Sequence, residues 1–261
     1  MDFILGAVLL IVGVPIVYLL SRALKLRPKP ISISDPKREA THALWMIVPF
    51  VAVAAIWRTF LYFIYVPTFH LGDHFLNGGQ TVDTYDLLAY LLLYVVEIPL
   101  LAIVLRRTRQ KLGSIGITRA NLGRMLALGL SSGVIYVLVS GALSSFHFTG
   151  LSSSLFYGLV LLTMVGFAEE VIWRGYIQTR LIVRVGRLKG LLVTSLMFAF
   201  LWHFPVAYYT QASQNVLGAL LYAFERFFPG FLFGYLMIRS QNIIPSSIFH
   251  LFDDWISFLW K

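Results

Sequence analysis

Eight apolar runs follow one another along this chain, separated by short polar loops, and that alternation limits the fold more than any other feature. They cover roughly residues 3–21, 43–66, 86–105, 122–143, 154–186, 190–204, 216–238 and 244–260. About twenty apolar residues in a helix cross a hydrocarbon core ~30 Å thick. In lipid each backbone N–H and C=O must be satisfied within the protein, so only helices and closed barrels span it. No run alternates with the period of two that a barrel strand needs. The expected fold is therefore an all-α polytopic transmembrane bundle of about eight spans, a single membrane domain over residues 1–261. Composition agrees: 58% of the 261 residues are hydrophobic and 13% are charged, against about 25% charged in soluble domains.

Charge is distributed as a membrane topology requires. Arg22, Lys25, Arg27, Lys29, Lys37 and Arg38 fill the first loop, which Pro28, Pro30 and Pro36 keep from being helical. Arg106, Arg107, Arg109, Lys111, Arg119 and Arg124 fill the third. Arg180, Arg184, Arg187 and Lys189 lie at or after the end of the fifth span, and Arg239 is alone in the seventh loop. The second, fourth and sixth loops carry no Lys or Arg. The positive-inside rule then puts both termini outside the cytoplasm. It also accounts for the net charge of +9, so no nucleic-acid partner is expected. The first run lacks the basic start of a signal peptide and reads as a retained helix. Asn121 is placed to cap the fourth span. His70 and His74 stand at helical spacing and could ligate a metal, but in the loop 67–85 they read as solvated residues. With no cysteine in the chain, thiol catalysis and disulfides are excluded.

Ionisable groups inside such runs are expensive and mark functional sites. The fifth run contains Phe167-Ala168-Glu169-Glu170-Val171-Ile172-Trp173-Arg174-Gly175. Glu170 and Arg174, four apart, share a helical face and can neutralise each other. Glu169 is turned about 100° away and is left over. The sixth run ends at His203-Phe204-Pro205, and the eighth carries His250 and Asp254, again four apart, with Asp253 beside them as a supporting residue facing away from Asp254. A desolvated carboxylate is a good general base, and a histidine can position water, bind metal or donate to an oxyanion. Glu169, His203 and His250 are also a zinc ligand set with water in the fourth position. Either way the chemistry is water attacking an amide carbonyl in a protected cavity. Arg58, Glu97, Glu225 and Arg226 are further charges within the runs, which either line that cavity or pair with one another.

Three of these segments together resemble a known family. Glu169-Glu170-x-x-x-Arg174 resembles the EExxxR motif of the CAAX prenyl protease and bacteriocin-processing (CPBP, or Abi) family, which includes the type II CAAX endopeptidases. Ser195–Pro205, with its phenylalanines ahead of His203, looks like the second motif, and His250-x-x-x-Asp254 looks like the third, HxxxN/D. The resemblance covers about residues 155–258. It implies an intramembrane endopeptidase with a catalytic core over 151–261, preceded by N-terminal spans and loops over 1–150. By position, Glu169 activates water with His203 as its partner, His250 and Asp254 stabilise the oxyanion, and Glu170 with Arg174 supports them. A divalent metal such as zinc and a metal-free glutamate mechanism both stay open. The implied partners are membrane lipid and a peptide or protein substrate, lipid-modified in part of the family. The length and the Trp202-His203-Phe204-Pro205 segment look bacterial, so the expected location is a bacterial plasma membrane, with the site facing the cytoplasm.

The sequence departs from the family pattern twice. The phenylalanine four residues before the histidine is here Ala199, flanked by Phe198 and Phe200, which predicts a change of local shape with chemistry kept. Asp254 stands where asparagine is common, and an ionised Asp cannot donate to an oxyanion. Depth poses a further condition. On straight helices Glu169 lies about 22 Å from the outer end of its span and His203 about 20 Å from the inner end of its own. They meet in a ~30 Å core only through tilt or a longer fifth span, and a fifth span running past Arg174 is expected. Two other functions compete: a catalytically silent scaffold of the same fold, and a proton-coupled transporter.

Overall fold

The computed structural model describes residues 3–28, 30–71, 81–144, 152–210 and 215–259. Eight helices occupy these segments, one for each expected span. They are α1 (Phe3–Ala23), α2 (Pro36–Phe69), α3 (Thr84–Arg107), α4 (Leu122–Ser144), α5 (Ser153–Val185), α6 (187–210), α7 (Val216–Ser240) and α8 (Ile243–Leu259). Six of them, α1 to α5 and α7, are long and apolar enough to cross a membrane, and the chain is an integral, multi-pass membrane protein. Large apolar side chains such as Ile11, Trp45, Ile56, Leu138 and Phe156 are exposed on the outside of the bundle, where lipid tails meet them. His74 lies outside the described residues; His70, in left-handed conformation, ends α2.

The helix starts follow local chemistry. Asp35 caps α2 by accepting from the Arg38 amide at 3.0 Å, with Pro36 in the first turn where its missing N–H is harmless. The second span thus begins well before residue 43, and Lys37 and Arg38 belong to its first turn and not to the loop before it. Asp83 and Asp86 close a reciprocal capping box at the start of α3. Asn121 precedes α4 and its carbonyl accepts from the Met125 amide, although its φ of 55° is left-handed.

The bundle is built around α5. Of its span 61% is buried, against 22% for α1. The N-terminal part of α5 packs against α3 and α8, and its C-terminal part packs against α2 and α6. α7 lies against α1, α6 and α8, and α4 lies against α1 and α8. Close approach of α8 depends on Gly166: a Cβ there would stand 3.1 Å from the Ser247 carbonyl oxygen and 3.3 Å from the Leu251 amide nitrogen. That contact fixes His250 beside the turn of α5 that carries the two glutamates.

As expected, α5 continues past Arg174, for 33 residues in all. Three π-helical stretches interrupt the bundle, at Leu61–Tyr65 in α2, Val171–Gln178 in α5 and Phe198–His203 in α6. Two of them fall in the segments that carry the sequence motifs. Arg180 is not the loop cation its sequence position suggests. It is fully buried, ion-paired to Glu39 at 3.8 Å, and donates to Gln110, to Ser114 and to the Gly175 and Tyr176 carbonyls of the π-helical stretch. Thr179 donates to the same two carbonyls, so the π-helical stretch is held from both side chains.

Candidate active site

Glu169 and Glu170 are the last α-helical residues of α5 before its π-helical stretch. Both are buried. Glu170 faces Arg174, Oε2 to Nε at 3.7 Å, and both side chains are fully buried. None of the guanidinium nitrogens has a hydrogen-bond partner. Aromatic faces compensate: the Arg174 guanidinium lies 4.4 Å from the centre of the Phe198 ring and 5.6 Å from that of Phe233. A buried cation held this way depends on its carboxylate, because isolated charge in a dry interior is costly. The π-helical turn also brings Gly175 against the loop between α3 and α4, where a Cβ would lie 2.6 Å from the Ile115 carbonyl oxygen.

His250 joins the acidic groups. Its Nδ1 is 3.2 Å from Glu170 Oε1. Its Nε2 is 3.4 Å from Asp254 Oδ2 and 3.9 Å from Glu169 Oε2. The ring is stacked on Phe233 at 4.4 Å and 20°, which fixes its plane. With Glu170 ionised against Arg174, Nδ1 is the donor to Glu170, so Nε2 is the edge turned toward Glu169 and Asp254. Asp254 is held in turn by Arg226, Nη1 to Oδ1 at 3.2 Å. The same Nη1 lies 3.4 Å from Asp253 Oδ2, and Asp253 also accepts from Tyr136. Asp253 therefore shares Asp254's cation and does not face away from it as the sequence suggested.

His203 approaches the cluster from α6 without joining its hydrogen bonds. Its ring meets the Phe198 ring edge-on at 4.6 Å, and His250 lies 6.0 Å from the same ring. Its buried Nε2 has no hydrogen-bond partner. The expected pairing of His203 with Glu169 is not made directly. The position of the phenylalanine has a geometric explanation. A π-helix bonds i to i+5 where an α-helix bonds i to i+4, and Phe198 and His203 are the first and last residues of such a stretch. The turn brings residue 198 into the register that residue 199 would hold in an α-helix, so the ring reaches the histidine despite the one-residue shift in sequence.

Two contributors were not legible as site residues. Tyr94 of α3 donates its hydroxyl to Glu169 Oε1 at 3.3 Å. Trp202 of α6 is buried, its indole N–H within near hydrogen-bonding reach of the Glu169 carboxylate without closing a full bond, and Glu169 Oε2 accepts no full hydrogen bond from protein. Buried polar atoms of this kind are met by water or by a bound ligand. The available signals were faint: Tyr94 stands one turn before Glu97 in an otherwise apolar run, and Trp202 adjoins His203. Glu97 is fully buried, both its oxygens lack hydrogen-bond partners, and it lies within electrostatic reach of Glu169 and Arg58. Among the described residues no three His, Asp or Glu side chains are gathered as metal ligands, while the Glu170 contact at His250 Nδ1 leaves Nε2 as the free edge of the ring.

Comparison with protein families adds a match over residues 151–256 to the model described as type II CAAX prenyl endopeptidase Rce1-like. No curated protein and no solved structure matches the chain. The matched stretch runs from the start of α5 into α8 and so contains all three motifs, whereas Tyr94 and Glu97 come from outside it. Over residues 151–256 the chain is thus similar to the type II CAAX prenyl endopeptidase Rce1-like family, which supports the resemblance to the CAAX protease (CPBP) family that the three motifs carry.

Proposed function

We propose that this protein is an intramembrane endopeptidase whose general base is Glu169. The observation that carries the reading is the two-sided environment of that carboxylate. Tyr94 holds Oε1, while Oε2 is buried, accepts no full hydrogen bond from protein and lies 3.9 Å from His250 Nε2, with the Trp202 indole N–H within reach of the carboxylate. Oε2 is then the atom that takes a proton from water as the water oxygen bonds to the substrate carbonyl carbon. The developing oxyanion is met by the Nε2–H of a doubly protonated His250, whose Nδ1–H stays on Glu170, with the Nε2–H tautomer of His203 as a second donor. On collapse the C–N bond breaks, and Glu169 returns its proton to the leaving amine.

Glu170 and Arg174 act through His250, keeping its Nδ1 edge occupied and its ring oriented. Asp254 is an acceptor tied to Arg226, so its part is to orient His250 and not to donate to the oxyanion. The steps proposed use the chain's own residues and none runs through a metal. Basic residues in the α1–α2 and α3–α4 loops support a site that opens toward the cytoplasm. The family supports a substrate cut close to its membrane anchor, including one with a lipid-modified C-terminus.

The test is cleavage of a membrane-anchored peptide by purified protein in liposomes, with products identified by mass. The parent is expected to release one defined fragment, and Glu169→Gln none above background. Equal turnover by the two proteins, both folded, overturns the assignment.

A further inference from the structure

We propose that a basic cavity on the loop side of the bundle binds the phosphate headgroup of an anionic phospholipid. The cavity has a volume of about 670 Å³ and is enclosed by the segment after α1, the loop between α3 and α4 and the turn between α7 and α8. Arg27, Arg109 and Lys111 stand in its wall, and among the described residues that line it none is acidic. The positive-inside rule explains why loops on this side carry cations. It does not explain why three loops far apart in sequence enclose one hollow.

Other features fit a phosphate with a lipid tail. Asn121 and Met125 line the hollow, so the N-terminal end of α4, the positive end of its dipole, borders it. Ile31, Ile33 and Met125 give the wall an apolar side, which suits the glycerol and the start of an acyl chain better than a free anion. Basic pockets between transmembrane helices at the cytoplasmic face bind such headgroups, and the volume is in the range of ligand pockets. The floor leads inward. Gln110 and Ser114 line the hollow and both accept from Arg180, which also donates to the carbonyls of Gly175 and Tyr176, in the stretch next to Arg174. The proposal does not rest on Glu169 being a base.

The experiment uses delipidated full-length protein in neutral detergent, titrated with phosphatidylglycerol or phosphatidylcholine and read by native mass spectrometry. A parallel arm uses inorganic phosphate at constant ionic strength. Phosphatidylglycerol is expected to bind about a hundredfold more tightly than phosphatidylcholine, the combined effect of three cations. The triple variant Arg27→Gln, Arg109→Gln, Lys111→Gln loses that preference. A second triple variant, Lys37→Gln, Arg184→Gln, Arg187→Gln, removes equal charge from exposed residues outside the hollow and keeps it. Equal loss in both variants, or none in the first, overturns the site. Saturation by inorganic phosphate with no discrimination between the lipids overturns the lipid assignment.

Discussion

Arg174→Met tests how the site is held together. The wild-type guanidinium is fully buried 3.7 Å from Glu170, which at an effective dielectric constant of 20 corresponds to ~4.5 kcal/mol of attraction. Its hydrogen-bonding capacity is otherwise unused, and its remaining support is the faces of Phe198 and Phe233. Removing it leaves Glu170 charged in a dry interior with only His250 as a partner, a loss of about 3–5 kcal/mol for a broken buried pair. Glu170→Gln alone strands Arg174 in the same way. The double variant carries neither charge, keeps an acceptor for His250 Nδ1, and is expected within about 1–2 kcal/mol of the parent, as apolar replacement of buried pairs allows. In thermal unfolding at fixed detergent, followed by the fluorescence of buried Trp173 and Trp202, each single variant should fall by roughly 6–20 °C, at 2–4 °C per kcal/mol. The double variant should recover most of it. A double-variant shift equal to the sum of the single shifts would refute the coupling on which this account of Arg174 depends.

Tyr94→Phe removes one hydrogen bond to a charged group, at a length of 3.3 Å; kcat should fall about tenfold, the lower end for such bonds, while KM stays within about twofold and the pH–rate profile shifts. An unchanged kcat and profile would show that the hydroxyl does not position Glu169. Gly175→Ala sets a Cβ against the Ile115 carbonyl oxygen, which is backbone and cannot rotate away; a loss of about 1–3 kcal/mol in unfolding experiments is expected, and a neutral result would mean that this contact is loose. Treatment with 1,10-phenanthroline should leave peptide cleavage within about twofold of the control, because the proposed steps use Glu169, His203 and His250 without a metal. Loss of activity restored by zinc would show that Glu169, His203 and His250 rearrange to bind one.

Much of the fold could be read from the chain because lipid leaves few choices. Apolar runs became helices, loop cations marked the sides, and the need for Glu169 and His203 to meet in depth required the long α5. The paired charges at i and i+4, Glu170 with Arg174 and His250 with Asp254, also stood where helical spacing puts them. What escaped the reading was local. π-helical stretches have no sequence period of their own, so the register that brings Phe198 to His203 looked like a defect in the motif. Tyr94 and Arg226 lie on helices remote in sequence from Glu169 and Asp254, and only packing reveals which face they turn inward. Arg180 looked like a loop cation because composition cannot distinguish a guanidinium that ends a helix at the interface from one that stitches two elements together.

The central claim is that Glu169 acts as a base and is not merely a buried acid. Glu97 provides the comparison, since it too is a buried carboxyl and lies close by on α3. Single-turnover cleavage of one membrane-anchored peptide by Glu169→Gln and by Glu97→Gln in the same liposomes separates the two roles. The account predicts a loss of at least about a thousandfold for Glu169→Gln, with the proton acceptor gone, and a rate within about tenfold of the parent for Glu97→Gln. Comparable losses in both variants, or a Glu169→Gln protein that still cuts, would contradict it.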